Sequence, residues 1–287
     1  MGNNLKTTTG GIVMEKLKIN YHVTEVCNFR CKFCFAKYAN KTLRFEEQKA
    51  VIKKIAQSNQ FNEINFAGGE PLLDKNIVSL IKYAFELGLK VSIITNGFLL
   101  DIPLLTKILP YLSMIGISVH SFDNSTKQNI GACTPSGEFL ENERLKQLCN
   151  FVRNYNAQNQ RKCKIKINTV ICSENKLEDF KDNISMMQID RWKCLRCQEF
   201  GCNQPTLITD TEYSEFIARN KMDWMDQVFE NDMKDTYIMI NPERKLLREG
   251  TDNKSYIEIG SVLEHDVLQL LKELPLKESL YYQRYSA

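Results

Sequence analysis

Short apolar runs rich in β-branched residues alternate with longer segments of helical period along the first two thirds of the chain. This alternation is typical of repeated βα units around a parallel sheet. Predicted strands lie at Leu17–Val23, Glu63–Phe66, Val91–Thr95, Met114–Val119, Cys163–Val170 and Arg191–Leu195. Amphipathic helices are predicted near Phe45–Ala56, Lys75–Leu87, Pro103–Leu112, Glu138–Tyr155 and Leu177–Met187. The predicted fold class is therefore α/β, a partial (βα)6 barrel.

The pattern changes after Cys202. A helix is predicted near Thr211–Asn220, and two extended runs, Thr236–Ile240 and Lys245–Leu247, follow a stretch rich in Trp, Met and acidic residues. We therefore expect a flexible segment, a barrel, and a C-terminal extension that packs on the barrel and closes one end of it. These divisions correspond to residues 1–16, 17–202 and 203–287.

Composition favours one core and an intracellular location. The chain has 287 residues, of which 43% are hydrophobic, which suffices for one large domain. Its 38 Lys and Arg against 35 Asp and Glu give a charge of +3, too small to indicate a nucleic-acid or membrane surface. The polar N-terminus has no secretory pattern, and no long apolar window follows. We expect a cytoplasmic protein whose ten cysteines are reduced.

Three cysteines lie close together directly after the first predicted strand. Cys27, Cys31 and Cys34 are separated by three and two residues. Three thiolates on one short loop suit a [4Fe–4S] cluster, and they leave the fourth iron open to a chelating small molecule. The alternative is a set of buried cysteines or a zinc site, although zinc sites usually have a fourth protein ligand and paired Cys-x2-Cys spacing.

Two glycine-containing segments follow the second and third predicted strands. Gly68-Gly69-Glu70-Pro71 would let the backbone approach a ligand closely, or would simply form a turn. Thr95-Asn96-Gly97 is, on its own, no more than a turn. In a parallel barrel both segments would lie at the carboxyl ends of the strands, beside the cysteine loop.

The cysteine spacing resembles the signature of the radical S-adenosylmethionine (SAM) superfamily, and the Gly-Gly-Glu-Pro segment is similar to its SAM-binding segment. A closer resemblance, to the viperin family, begins at Asn20-Tyr21-His22 and spans roughly residues 19 to 195. Further blocks similar to those of viperins, in the same order, are Ile64–Pro71, Ile117-Ser118 with Ser121–Asp123, Lys166–Val170 and Arg191–Lys193. The C-terminal part matches only loosely.

The resemblance implies a reaction. Radical SAM enzymes cleave SAM at a [4Fe–4S] cluster and release a 5′-deoxyadenosyl radical. Viperins use this radical to remove the C4′ hydrogen of a nucleoside triphosphate, usually CTP, and make a 3′-deoxy-3′,4′-didehydro analogue that terminates viral RNA. We therefore expect CTP, or else UTP or GTP, as substrate and a role in anti-phage defence. The expected electron donor is a flavodoxin or ferredoxin, and the expected state is a monomer.

The resemblance also assigns site residues. The cluster ligands are Cys27, Cys31 and Cys34, and the SAM-binding residues are Gly68, Gly69, Glu70, Thr95, Asn96, Ser118, His120 and Asn168. The substrate-binding residues are Asn20, His22, Asn65, Lys166, Lys193 and Arg244. The two lysines match viperin lysines that contact the phosphates. Without that match, a solvent-exposed lysine would be the simpler interpretation.

Several positions depart from the viperin pattern. Ala132 stands where the family has an Arg, and Glu63 where it has a Lys, so two cations are missing. Ala67 replaces a Ser, and Val119-His120 replaces Cys-Asp. The tyrosine proposed as hydrogen donor is absent from residues 240–243. These departures bear on the choice of base and on the final hydrogen transfer rather than on the radical chemistry.

Three later cysteines, Cys194, Cys197 and Cys202, form a second group that we interpret as structural thiols, with an auxiliary cluster or zinc ion as the alternative. Two other functions are left open. One is a radical SAM reaction on a different substrate. The other is a catalytically silent Fe–S or zinc scaffold that acts through partners.

Overall fold

Ten strands and nine helices are present in the computed structural model, which describes residues 17–34, 43–199, 206–224, 226–230, 235–250 and 256–285. The strands are β1 Leu17–Thr24, β2 Phe61–Gly68, β3 Lys90–Thr95, β4 Leu112–Ser118, β5 Lys164–Ile171, β6 Arg191–Arg196, β7 Asp226–Glu230, β8 Met239–Ile240, β9 Lys245–Glu249 and β10 Tyr256–Ser261. The helices are α1 Phe45–Gln57, α2 Ile77–Glu86, α3 Ile102–Ile108, α4 Asn124–Ile130, α5 Asn142–Asn159, α6 Lys181–Met186, α7 Asp210–Asn220, α8 Val267–Lys272 and α9 Glu278–Tyr285. The predicted segment 1–16 lies outside the described residues.

All ten strands belong to one sheet, in the order β10-β9-β8-β1-β2-β3-β4-β5-β6-β7. Strands β1 to β7 are parallel and follow one another in chain order, with helices in the connections from β1 to β7. Strand β8 runs parallel to β1, and β9 and β10 continue that edge in antiparallel fashion. The predicted α/β partial barrel is confirmed. The region after Cys202 adds strands to both edges of the sheet.

The two faces of the sheet differ in polarity. On β1, Leu17, Ile19, Tyr21 and Val23 are buried in the core between the sheet and the helices. The alternate residues of β1 point to the inner face, because successive side chains of a strand lie on opposite sides. These alternate residues are Lys18, Asn20 and His22, and all three line a cavity. The inner face therefore carries the polar groups.

Helix α4 was not predicted, because most of its residues are polar and small. It is defined instead by its ends. Asp123 caps it by accepting a hydrogen bond from the amide of Thr126 at 2.7 Å, and Gly131 ends it in the left-handed conformation, with φ of 79°. None of the helices that the structure describes is long and apolar enough to cross a membrane.

Candidate active site

A cavity of about 370 Å³ lies against the inner face of the sheet and extends to the carboxyl ends of the strands. All but two of the predicted site residues line it. From the predicted cluster and SAM sets these are Cys27, Cys31, Cys34, Gly68, Gly69, Thr95, Asn96, Ser118, His120 and Asn168. From the predicted substrate set they are Asn20, His22, Asn65, Lys166 and Lys193. The structure thus brings residues from six strands and the cysteine loop into one space.

The cysteine loop leaves β1 and is held by backbone hydrogen bonds. The amide of Arg30 donates to the carbonyl of Gly131 at 3.1 Å, and that of Lys32 donates to Ile130 at 2.9 Å. The amide of Cys34 donates to the carbonyl of Cys31 at 3.0 Å, which turns the loop. This arrangement places all three cysteines on the cavity wall.

The donor chemistry of the loop fits an iron–sulfur cluster. Burial raises the pKa of Cys27 to about 11 and the pKa of Cys31 well above its usual value, and the neighbouring Cys34 adds to both shifts. Without metal, the thiols of Cys27 and Cys31 are therefore protonated at neutral pH. A cluster must displace those protons, as thiolate ligation generally requires. The amide of Phe29, 3.4 Å from the sulfur of Cys27, is positioned to stabilise a thiolate.

The glycines after β2 allow two backbone segments to approach. The amide of Gly69 donates to the carbonyl of Thr24 at 2.8 Å, and that of Glu70 donates to Val26 at 2.7 Å. A Cβ atom on Gly68 or Gly69 would lie inside 3.0 Å of the carbonyl oxygens of Thr24 and Val26, respectively. The glycines are thus required by packing against the chain that leads into Cys27.

Glu70, predicted to bind SAM, is fully buried and is not among the residues that line the cavity. One carboxylate oxygen accepts from the hydroxyl of Thr95 at 2.6 Å and from the amide of Leu72 at 3.0 Å. The other accepts from the amide of Asn96 at 2.7 Å. Burial raises the pKa of Glu70 to about 7. In this structure Glu70 links the ends of β2 and β3 and holds Thr95 and Asn96 in the cavity wall.

Two histidines supply neutral polar groups. Burial lowers the pKa of His22 and of His120 to about 4, so both rings are uncharged near neutral pH. The Nδ1 atom of His120 accepts a hydrogen bond from the amide of Val170 at 3.2 Å, which leaves the proton on Nε2. The ring of His120 also packs edge-on against Phe33 of the cysteine loop, with 4.7 Å between centroids. His120 can therefore act as a fixed hydrogen-bond donor.

Polar side chains form a ladder across three neighbouring strands. The hydroxyl of Ser92 donates to the side-chain oxygen of Asn65 at 2.8 Å. The side-chain NH2 group of Asn65 donates to the side-chain oxygen of Asn20 at 2.9 Å. The Asn20 side chain then donates to the carbonyl of Ile238, just before β8, at 3.2 Å. The ladder fixes the two predicted substrate residues and ties β8 to β1.

The two predicted phosphate-binding lysines have different surroundings. The ammonium of Lys193 is 2.5 Å from Glu230 and donates to the hydroxyl of Tyr237 at 3.0 Å, and the charged pair is less than 10% exposed. The ammonium of Lys166 makes no hydrogen bond or ion pair with any residue in the described ranges. Burial, together with Lys193 and Lys18, lowers its pKa well below the usual value. A positive charge that faces a cavity in this way favours an anionic ligand.

Arg244, predicted to contact the substrate, is not among the residues that line the cavity. Its guanidinium lies 3.2 Å from Glu47 of α1, and its backbone has φ of 68° in the turn between β8 and β9. The structure places it with the helix layer, where it joins the extension to the barrel.

Other residues of the cavity wall were missed by sequence reasoning. Lys18 alternates with Asn20 and His22, and this period was the signal available. Lys127 lies on the unpredicted helix α4, and its buried ammonium donates to the carbonyl of Leu140 at 3.1 Å. From the extension, the wall includes Tyr237, Met239, Glu249 and Tyr256.

The second cysteine group is split between two environments. Cys194 is buried in the main core, whereas Cys197 packs beneath the cysteine loop and lines the cavity. Cys202 lies outside the described residues. Among the described residues, no three His, Cys, Asp or Glu side chains are arranged to bind a single metal ion. This does not bear on Cys27, Cys31 and Cys34, because in a [4Fe–4S] cluster each cysteine binds a different iron. The interpretation of this group as structural thiols, with an auxiliary cluster or zinc ion as the alternative, stays a prediction.

Comparison with known proteins identifies the class. The sequence model of the radical SAM superfamily matches residues 21–187, and the chain belongs to this superfamily. Solved structures agree in fold. Streptococcus suis SuiB bound to S-adenosylmethionine gives a TM-score of 0.67 at 16% identity, covering 93% of this chain and 68% of that one. The protein anSMEcpe with bound AdoMet gives 0.64 at 13% identity, covering 92% and 82%. Membership implies SAM and an iron–sulfur cluster as cofactors.

Curated relatives define the family more narrowly. A protein from Selenomonas ruminantium is 34% identical over 276 residues, covering 94% of this chain and 98% of that one. Another, from Psychrobacter lutiphocae, is 29% identical over 293 residues, covering 96% of both. Each is named S-adenosylmethionine-dependent nucleotide dehydratase. Within the radical SAM superfamily, the chain belongs to this viperin-like family.

Proposed function

We propose that this enzyme converts a ribonucleoside triphosphate to its 3′-deoxy-3′,4′-didehydro analogue, an anti-phage chain terminator. CTP is the expected substrate, with UTP and GTP as alternatives. One observation carries the proposal: the cysteine loop shares a cavity with three lysines, of which Lys166 has no ion-pair partner within 4 Å among the described residues. The names of the relatives support a nucleotide as the substrate class.

The cofactor end of the cavity is formed by the cysteine loop and the ends of β2 and β3. Cys27, Cys31 and Cys34 would hold a [4Fe–4S] cluster, which when bound supplies the electron that cleaves SAM to the 5′-deoxyadenosyl radical. Gly68 and Gly69 bring the backbone close to this end, and Glu70 fixes the wall formed by Thr95 and Asn96. Phe29, which is only 5% exposed, restricts water around the loop.

The substrate end lies toward the amino ends of the strands. From Lys18 to Thr24, six residue steps of about 3.3 Å span about 20 Å, which leaves room for two ligands in series. Lys166 and Lys193 would bind the phosphates, and the ladder of Asn20 and Asn65 offers fixed amides to the sugar or base. Removal of the C4′ hydrogen requires the ribose to lie between these two ends.

Anaerobic turnover of the reconstituted protein with SAM and dithionite tests the proposal. CTP, UTP, GTP and ATP are supplied separately, and 5′-deoxyadenosine and nucleotide products are followed by mass spectrometry, with Cys31→Ala as the control without a complete cluster site. One nucleotide should accelerate SAM cleavage and lose the mass of one water. Equal cleavage with and without nucleotides would favour a different radical SAM substrate, and absence of 5′-deoxyadenosine would favour the silent scaffold.

The electron donor is expected to be a flavodoxin or ferredoxin, the protein is expected to be a monomer, and its location is expected to be cytoplasmic.

A further inference from the structure

Lys18 is a lysine of the cavity wall with no assigned role. It is the second residue of β1 and lines the same cavity as Lys166 and Lys193. Its side chain is 11% exposed, and its ammonium lies 3.5 Å from one carboxylate oxygen of Glu63. The other oxygen of Glu63 is 2.6 Å from Lys90, whose side chain is 59% exposed. Glu63 is therefore shared between a lysine inside the cavity and a lysine outside it.

The backbone of Lys18 is also fixed. The hydroxyl of Tyr281 in α9 accepts from the amide of Lys18 at 2.6 Å and donates to its carbonyl at 2.7 Å. Tyr281 is 1% exposed. A buried tyrosine from the C-terminal helix thus hydrogen-bonds the backbone of β1 at Lys18, a position that does not pair with β8. Lys18 is held in place by its main chain as well as by Glu63.

The three lysines of the cavity wall lie close enough to repel one another. Lys193 is paired with Glu230, Lys18 shares Glu63 with Lys90, and Lys166 has no ion-pair partner among the described residues. Lys18 and Lys193 both act to lower the pKa of Lys166, so the three ammonium groups lie within electrostatic reach of one another. Burial lowers the pKa of Lys18 to about 8 even though Glu63 opposes the shift. A polyanion would relieve this repulsion.

We propose that Lys18, Lys166 and Lys193 together bind the phosphate chain of the nucleotide, and that Lys18 contacts the terminal phosphate. This inference rests on the proposed function. Lys18 lies at the amino end of β1, whereas the cysteines follow its carboxyl end. The ribose must approach the cysteine end for its hydrogen to be removed, so the phosphates extend toward Lys18. Lys18 is thus the residue that selects a triphosphate over a diphosphate.

Calorimetric titration of the reconstituted full-length protein tests this assignment, with inorganic tripolyphosphate, pyrophosphate and the four nucleoside triphosphates as probes. Lys18→Met keeps most of the side-chain volume and removes the charge. It should weaken tripolyphosphate binding by about tenfold, the effect of losing one charge-assisted hydrogen bond, and pyrophosphate binding by much less. Lys18→Arg should retain most of the affinity. Lys90→Ala is the matched control, because Lys90 contacts the same carboxylate outside the cavity, and it should bind like the wild type.

The outcomes separate the two proposals. If the wild type binds tripolyphosphate and Lys18→Met binds it equally well, Lys18 is not a phosphate ligand, although the proposed function stands. Equal losses for tripolyphosphate and pyrophosphate would overturn the contact with the terminal phosphate. A wild type that binds neither probe nor any of the four nucleotides would overturn the proposed function, and the role of Lys18 with it.

Discussion

Gly131→Ala is expected to destabilise the cysteine loop more than the fold as a whole. A Cβ atom at position 131 would lie inside 3.0 Å of the carbonyl oxygen of Arg30, 3.0 Å from its carbonyl carbon and 3.5 Å from the Cα atom of Cys31. These are backbone atoms between the first and third predicted ligands, so they can move only if the loop moves. The same displacement would disrupt the hydrogen bond from the amide of Arg30 to the carbonyl of Gly131.

Gly88→Ala provides the matched control. Gly88 has φ of 82° against 79° for Gly131, but a Cβ atom there meets nothing within 4 Å. Alanine in the left-handed region costs about 1–2 kcal/mol at either site. Overpacking should add about 1–3 kcal/mol at position 131 alone. The difference between the two variants therefore measures the clash with the loop.

Two measurements separate the effects. Urea unfolding of the metal-free proteins gives the free energies, and iron content with absorbance near 400 nm after anaerobic reconstitution reports the cluster. Gly88→Ala should lose about 1–2 kcal/mol and bind iron like the wild type. Gly131→Ala should lose more stability and bind less iron. If the two variants lose the same stability and bind the same iron, Gly131 does not position the cysteine loop.

Three other variants probe the remaining contacts. The pKa of Glu70 is raised from 4.5 to about 7, so its contribution to stability is complete below pH 4.5 and is lost as the pH rises through 7. The unfolding free energy of the wild type relative to Glu70→Gln should therefore fall by roughly 3 kcal/mol from pH 4.5 to pH 8, and a difference independent of pH would contradict this. Tyr281→Phe leaves two backbone groups of Lys18 unpaired and should cost about 1–3 kcal/mol in urea unfolding. Tyr111→Phe is the control, because its hydroxyl makes no hydrogen bond within the described residues, and equal effects of the two variants would refute the reasoning. Lys193→Ala should weaken nucleotide binding at least about tenfold in titration calorimetry and leave iron content unchanged. Loss of the buried ion pair with Glu230 should cost about 3–5 kcal/mol of stability. Unchanged nucleotide affinity would remove Lys193 from the site.

The barrel strands could be predicted because their apolar, β-branched runs are buried against helices. The six predicted strands overlap β1 to β6, with ends displaced by a few residues. Helix α4 and strand β7 were missed because neither has a clear apolar period. Helix α4 depends on its capping residues, and the Asp226–Glu230 segment becomes a strand by pairing with β6. Pairing of this kind is set by tertiary context rather than by local propensity.

The site shows the same division between local and tertiary information. The cysteines and the glycines after β2 were found because their spacing has a chemical reason. Arg244 was placed in the site by sequence, but an ion pair with Glu47, 197 residues away, directs it elsewhere. The missing lysine at position 63 predicted a loss of positive charge, yet Glu63 lies beside Lys18, which brings a cation to the wall from the neighbouring strand. Only the register of β1 and β2 reveals that exchange.

The contacts that finish β1 have a consequence for how the protein is made. The carbonyl of Ile238 accepts from the main-chain and side-chain amides of Asn20, 218 residues earlier, and Tyr281 bonds to Lys18 across 263 residues. On the ribosome, the first strand can pair with the second long before these partners have been synthesised. The cysteine loop can thus assemble early. The end of the cavity formed by Lys18 and Asn20 is completed only after residues 238 and 281 have been synthesised. A nascent protein would therefore form its metal-binding end before its substrate-binding end. It would not begin radical chemistry until the substrate-binding end is complete.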